Sequence, residues 1–359
     1  MPNDSTSLPM TAAEIDPAWL TRALEPKHPG VRVSTVSLVD RSEMTNSHAR
    51  LQIHYDEAAG APEAMFCKML PADPKRRELI AQTGMGPREV RFYNQIAPQV
   101  ELRVPTVYVA QVDDDDEAFI LMLEDLVDTG CSVSDGTRGL SPDAAARALE
   151  DLADLHTRFA DPQYRSAYAS WVPEPMESDY GSVMLRYGLD HHRERLTPCF
   201  AEHAELYIEH RSALHALWHE GPKTVIHGDT HIGNLFDDRG RTGFLDWGII
   251  NTSTPLRDVS YLLVMAMSIE DRREHERDLL RHYLTAQSAK GGPDIGLDDA
   301  WMTHRIHAAY SVPASCQIVT FPENSGPARS TFAQAFLARA EAALEDLEVR
   351  DALRKIAGI

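Results

Sequence analysis

Chemistry concentrates in two short stretches of this 359-residue chain. The first is HGDTHIGN, His227 to Asn234, entered from the apolar run TVI. The second is FLDW, whose Asp246 lies twelve residues beyond Asn234. Between them DDRGRTG reads as a hairpin turn. An aspartate on a loop, an asparagine five residues on and an aspartate after the next strand are thereby drawn to one place. Such a set suits phosphoryl transfer, which needs little covalent help but much positioning and charge neutralisation. Asp229 can take the proton of an attacking hydroxyl. Asn234 offers a neutral oxygen, and Asp246 a charged one, to Mg²⁺, a cation that takes oxygen ligands and keeps waters and phosphates in its shell. His227 and His231 read as residues that orient or pack the loop by hydrogen bonds.

The elements that must position these residues change character along the chain. TAAEIDPAWLTRALEP opens with Thr11 and Glu14 at capping-box spacing, which predicts a leading helix over 11–25. VRVSTVSLV (31–39), HARLQIHY (48–55) and AMFCKML (64–70) alternate as three antiparallel strands. VPTVYVAQV (104–112) and EAFILMLEDL (117–126) add two more across the acidic turn Asp113–Asp116. KRRELIAQTGMGPREVRFYNQIA (75–97) is helical with a break near Gly84–Pro87. Beyond residue 127 helices dominate, over 141–160 with a Ser141 cap and Pro142 at its first position, then 178–195, 200–219, 256–269, 271–289, 298–311 and 327–355. Only KTVIHGD and GNLFDDRGRTGFLDWG interrupt them with β-like pieces. The expected class is α+β, with a small strand-rich part over 1–126 and a larger helical part over 127–359. A cleft between two such lobes is a natural ligand site.

The spacing H-x-D-x-x-x-x-N followed by a metal-binding Asp is that of the protein-kinase catalytic loop, with Gly228 in place of its Arg and LDW in place of DFG. HGDTHIGN with FLDW resembles the aminoglycoside phosphotransferase and choline kinase-like superfamily. REVRFYNQI and ILMLEDL further resemble its ecdysteroid kinase-like branch and bacterial relatives, so that the likeness spans residues 31–270. The resemblance implies a bilobed protein kinase-like fold, with an antiparallel-sheet nucleotide-binding lobe and a mainly helical catalytic and substrate-binding lobe. It implies ATP or another nucleoside triphosphate as donor, and Mg²⁺. It places Lys68 on the α- and β-phosphates and Glu89 on Lys68. Glu124 and Leu126 fall where a hinge backbone meets adenine, and Asp258 where an aspartate supports the catalytic loop. The side chains of Glu124 and Asp125 are expected to be solvated or capping. The phosphate-covering loop would be DRSEMTNSHA (40–49), which departs from the pattern by containing no glycine. Ser42, Thr45, Asn46 or Ser47 would have to help its backbone N–H groups there.

Composition narrows the alternatives. Lys plus Arg total 35 against 55 Asp plus Glu, a net charge of −20, which argues against a nucleic-acid or anionic-membrane partner. A metal ion still permits a phosphate ligand. Four cysteines without a CxxC pair read as free buried thiols of a reducing compartment. The first residues carry no basic patch followed by an apolar core, and runs such as AFILML and YLLVMAM fall far short of a membrane span, so a cytoplasmic protein is expected. A metallophosphoesterase would need further D-x-H, GD-x-x-D and GNH blocks, which are missing. A pseudokinase-type nucleotide-binding module is favoured only by the glycine-free loop. A protein kinase would need an A-P-E segment, yet LDWG runs directly into NTSTPLRDVSYLL, which favours a small hydroxyl acceptor. An aminoglycoside acceptor would want clustered carboxylates, whereas 160–222 mixes acids with Arg165, Arg186, Arg193, Arg195 and Arg211. Tyr164, Tyr168, Trp171, Tyr180, Tyr187 and Phe200 in that stretch point to a hydrophobic or aromatic alcohol, unless these rings fill the helical core. The sequence does not specify an oligomeric state.

Overall fold

Alternating apolar residues produce a five-stranded antiparallel sheet: β1 (Arg32–Glu43), β2 (Ser47–Glu57), β3 (Ala64–Met69), β4 (Val107–Val112) and β5 (Phe119–Glu124). Their spatial order is β1-β2-β3-β5-β4. In the computed structural model, residues 8–115, 117–175, 178–320 and 326–359 are described, with the side chain at 328 left aside. Asp116 of the acidic turn and the first seven residues, on which the absence of a leader was read, lie outside them. The chain divides into two units, Met1–Ser132 with Leu245–Ile249, and Val133–Phe244 with Ile250–Ile359.

In the first unit, Ala49, Leu51 and Ile53 of β2 face a core shared with Met65, Cys67, Ile120 and Met122. Trp19, Leu20 and Leu24 of helix α1 (Pro17–Leu24) close that core. The Thr11–Glu14 spacing does not open this helix. It yields only a 3₁₀ turn, Ala12–Glu14, in which Thr11 bonds the Glu14 carboxylate instead of a backbone N–H. The helix starts at Pro17, whose ring keeps Asp16 extended while Asp16 accepts the Trp19 N–H at 2.6 Å. The 75–97 segment breaks where expected. Helix α2 (Pro74–Ala81) ends before Gly84, which takes a left-handed φ of 65° and starts α3 (Met85–Arg91). A π-turn, Phe92–Ile96, follows and buries Phe92, Tyr93 and Ile96 together.

A two-residue strand, β6 (Ser132–Val133), marks the passage to the second unit. Its helices are α4 (Pro142–Arg158), α5 (Pro162–Tyr168), α6 (Tyr180–His191), α7 (Pro198–Trp218), α8 (Leu256–Ala266), α9 (Ile269–Ala289), α10 (Leu297–Ala308), α11 (Ser311–Ala314), α12 (Pro327–Asp346) and α13 (Val349–Ala357). Strands β7 (Thr224–Ile226) and β10 (Asn251–Ser253) pair antiparallel, and β8 (Leu235–Asp238) and β9 (Arg241–Phe244) form the hairpin read from DDRGRTG. Ser141 caps α4 through the Ala144 N–H. The single helix expected over 327–355 is two, because Glu348 adopts a left-handed φ of 45° between them. Helix α5 and strand β10 carry no pattern that set them apart from loop in the sequence. Every residue of α8 is buried, so this helix forms an inner wall.

All four cysteines are free. Three are buried, and burial pushes the Cys67 thiol up to about 12. Cys199 is only half-buried, contrary to the reading of four buried thiols.

Candidate active site

Strand β3 carries Lys68 into the first unit with 5% of its surface exposed. A lysine so placed needs a carboxylate, because an unpaired buried charge is costly. It has two. Glu89 of α3 lies 2.6 Å from Nζ, as the sequence led us to expect, and Asp246 Oδ1 lies at 2.9 Å, which it did not. Burial pulls the Lys68 ammonium down, but Asp246 and Glu89 more than offset it and hold the pKa above the ordinary lysine value. Burial pushes the Glu89 carboxyl upward against the pull of Lys68. Formally one cation faces two carboxylates, although burial pushes Glu89 up to about 7, and Asp246 keeps 43% of its side chain exposed. That exposed carboxylate suits a further cation.

Asp246 sits at a left-handed φ of 59°, a conformation that aspartate tolerates better than most residues. The strain is held by α3. Arg88 Nε donates to the Gly248 carbonyl at 2.9 Å, Glu89 accepts the Trp247 N–H, and Trp247 stacks on Phe92 at 3.8 Å. The helix that supplies Glu89 thus also fixes the backbone of Asp246. The roles of Arg88 and Trp247 were missed by sequence reasoning, and no spacing signal would have found them.

In the second unit, β7 delivers the loop His227–Asn234. Its backbone is pinned from α8. Asp258, fully buried, accepts the His227 N–H at 2.7 Å on Oδ2 and the Gly228 N–H at 2.8 Å on Oδ1, and its carbonyl accepts the Thr230 hydroxyl at 2.9 Å. Burial works against the Asp258 charge, but His156, His227 and the Gly228 N–H outweigh it and hold the carboxyl below its usual range. Asp258 therefore supports the loop as the family resemblance implied. Gly228 has φ 88°, which explains glycine where protein kinases have Arg. His227 is buried and accepts the Asp229 N–H on Nδ1 at 3.2 Å, an orienting role.

Asn234 donates through Nδ2 to both the carbonyl and Oδ2 of Asp229, each at 2.9 Å. Its amide hydrogens are thereby committed, and Oδ1 is the end left for an ion. Tyr261 of α8 hydrogen-bonds the Asp229 carboxylate, and burial, with the Asp229 charge, raises the phenol well above its ordinary value, so it remains a donor. Tyr261 also escaped sequence reasoning, since it reads there as one apolar position of an α8 stripe.

Glu124, at the end of β5, is not solvated. It is buried, paired with Arg103 at 2.8 Å, and accepts the Thr106 N–H and the Thr129 hydroxyl. Asp125 is buried too, and caps the turn through the Val127 N–H while binding Arg50. The Leu126 carbonyl accepts the Cys131 N–H. In the glycine-free hairpin, Ser42 and Thr45 are exposed while Asn46 and Ser47 are buried, and Asn46 Oδ1 finds no partner among the described residues. Of the aromatic residues in 160–222, Phe200 lies in the helical core, whereas Tyr168, Tyr180 and Tyr187 are each about half exposed.

The chain matches the model of the ecdysteroid kinase-like family over residues 42–288. It belongs to that family. This ecdysteroid kinase-like protein resembles a solved Ralstonia eutropha structure assigned as an aminoglycoside phosphotransferase, at 14% identity and TM-score 0.51, with 90% of this chain and 96% of that one covered. A choline kinase from Streptococcus pneumoniae follows at 13% identity and TM-score 0.49, covering 92% and 99%. A macrolide 2'-phosphotransferase from Brachybacterium faecium does so at 17% and 0.47, covering 88% and 97%. A search of curated proteins gave no match. The fold of this ecdysteroid kinase-like protein is that of the small-molecule kinase-like phosphotransferases, with an antiparallel-sheet N-terminal part and a helical C-terminal part. Among the described residues no helix is long and apolar enough to cross a membrane.

Proposed function

We propose that this protein transfers the γ-phosphoryl group of ATP, or of another nucleoside triphosphate, to a hydroxyl of a small molecule. The observation that carries the reading is the Asp229–Asn234 pair, held on a loop whose backbone hydrogen bonds end on buried Asp258. Asp229 accepts or orients the hydroxyl proton. Asn234 Oδ1 and the Asp246 carboxylate are hard oxygen donors of the kind Mg²⁺ takes, and the carboxylates around Lys68 fit a divalent cation. When bound, the ion neutralises phosphate charge. Lys68, fixed by Glu89, contacts the α- and β-phosphates, and the hinge backbone at Glu124 and Leu126 meets adenine. Since the Leu126 carbonyl is already engaged, its N–H serves the base. Residues 1–126 act as the nucleotide-binding part and 127–359 as the catalytic and acceptor-binding part.

The half-exposed Tyr168, Tyr180 and Tyr187 support an acceptor with an apolar or aromatic body. The glycine-free hairpin favours one other reading, a nucleotide-binding module with little turnover. A panel of small alcohols incubated with Mg–ATP separates the two. The transferase reading expects phosphate monoesters by mass spectrometry, and a loss of about 10²–10⁴-fold in turnover for Asp229→Asn. No product from any alcohol, despite nucleotide binding, would select the alternative.

A further inference from the structure

The sequence reads His231 as a packing or hydrogen-bonding residue of the loop, and its surroundings are specific. Nδ1 accepts the Gly233 N–H at 3.0 Å. A ring nitrogen that accepts cannot carry the proton, so His231 is a neutral imidazole with its hydrogen on Nε2. Nε2 lies 3.4 Å from Asp229 Oδ2, the oxygen that also receives Asn234 Nδ2. Two N–H groups thus converge on one carboxylate oxygen. The ring is lodged in a fitted slot. Phe336 meets it edge-on at 5.4 Å, Phe332 at 6.2 Å and Tyr261 at 6.3 Å. A Cβ on Gly233 would stand 2.8 Å from its Cε1, so only glycine admits the ring there. Four neighbours that all constrain one imidazole exceed what capping a short turn requires.

We infer that His231 is a positioning residue for Asp229. Its Nε2–H, with Asn234 and the Tyr261 hydroxyl, fixes the plane of the carboxylate that meets the acceptor hydroxyl. It does not itself take the proton, because its only lone pair is committed to Gly233. The inference rests on Asp229 being the group that handles that proton. A misplacement of about 1 Å at such a group costs on the order of 10²-fold in rate.

Two substitutions divide the functions of the ring. Asn in this position can still accept the Gly233 N–H and keep the turn, but does not reach Asp229. Gln extends an N–H towards Asp229 but forfeits the turn bond. With the full chain and Mg–ATP, water serving as acceptor, His231→Asn is expected to lose about 10–100-fold in kcat with KM for ATP unchanged, and His231→Gln to recover most of it. The reverse order, Asn near wild type and Gln impaired, would mean a turn cap only and overturn the inference. Asp229→Asn distinguishes the underlying reading: if it keeps full turnover, the proposed function fails, whatever His231 does. Nitrogen NMR of the imidazole provides a readout independent of turnover. An unprotonated Nδ1, with an Nε2 signal that shifts in Asp229→Asn, supports the pairing. A protonated Nδ1, or an Nε2 signal indifferent to Asp229→Asn, contradicts it.

Discussion

The cluster around Lys68 and the loop around Asp229 fix their reactive groups by opposite means. The side chains of Lys68, Glu89 and Asp246 are joined by charge on charge, with contacts of 2.6 and 2.9 Å. The Asp229 loop is held by backbone N–H groups that end on one buried carboxylate, Asp258. A charge cluster can exchange side-chain partners even where its backbone is fixed, because ion pairing is weakly directional and the Asp246 side chain is 43% exposed. A backbone cradle cannot, since moving Asp258 moves the chain itself. The first arrangement suits a site that must admit and release a highly charged ligand. The second suits a group that must stay in register with a small acceptor.

Substitution should separate the two. Removing the cation is the harsher change. Lys68→Met leaves Glu89 buried without its partner, and breaking a buried pair costs about 3–5 kcal/mol. Burial already pushes the Glu89 carboxyl up, so it takes a proton and the loss falls near 3 kcal/mol, read as a lower denaturant midpoint together with lost nucleotide affinity. A variant with wild-type stability would show that the cluster is not the structural element described. Asp258→Asn turns one oxygen that accepts an N–H into an NH₂ facing it. The expected cost is about 2–3 kcal/mol, accompanied by a fall in kcat and unchanged nucleotide affinity. Loss of nucleotide affinity with kcat intact would reverse the assignment of the two regions.

Acid provides the mildest probe. Burial, then the Lys68 charge, pulls His48 down to about 4, and burial pulls His307 of the second unit down to about 3. In the unfolded chain both titrate near the ordinary 6.5. Below that value the unfolded state binds more protons, so stability present above pH 6.5 is lost as pH falls towards 4. Each histidine adds at most about 1.4 kcal/mol per pH unit in that window. His48→Phe should flatten the midpoint-against-pH curve there, and an unchanged slope would contradict the stated environment of His48.

The strands were legible because their apolar residues recur with period two, and Lys68 stood out as a charge in an apolar strand. The Asp229–Asn234 pair was legible from motif spacing, whereas the support from Asp258 was implied by the family resemblance. Contacts that join distant parts of the chain were not legible. Nothing in LDW announces that Asp246 would share Lys68 with Glu89, because Lys68 and Asp246 stand 178 positions apart and no local pattern links them. Glu124 reads in the sequence as solvated or capping, but its environment is set by Arg103 and Thr106, brought up by strand pairing. The leading helix was misplaced because Thr11–Glu14 satisfies a spacing rule while Asp16–Pro17 satisfies a stronger steric one.

Under the proposed function, the carboxylates around Lys68 serve a nucleotide and its metal. Thermal unfolding with Mg–ATP, with ATP and EDTA, and without nucleotide, for wild type and Asp246→Ala, tests it most directly. Binding to the native state alone adds about 2.7 kcal/mol at a hundred times Kd. The expected result is a rise in Tm that needs Mg²⁺ and vanishes in Asp246→Ala. No rise with any nucleoside triphosphate at millimolar concentration, or an equal rise in EDTA and in the variant, would contradict it.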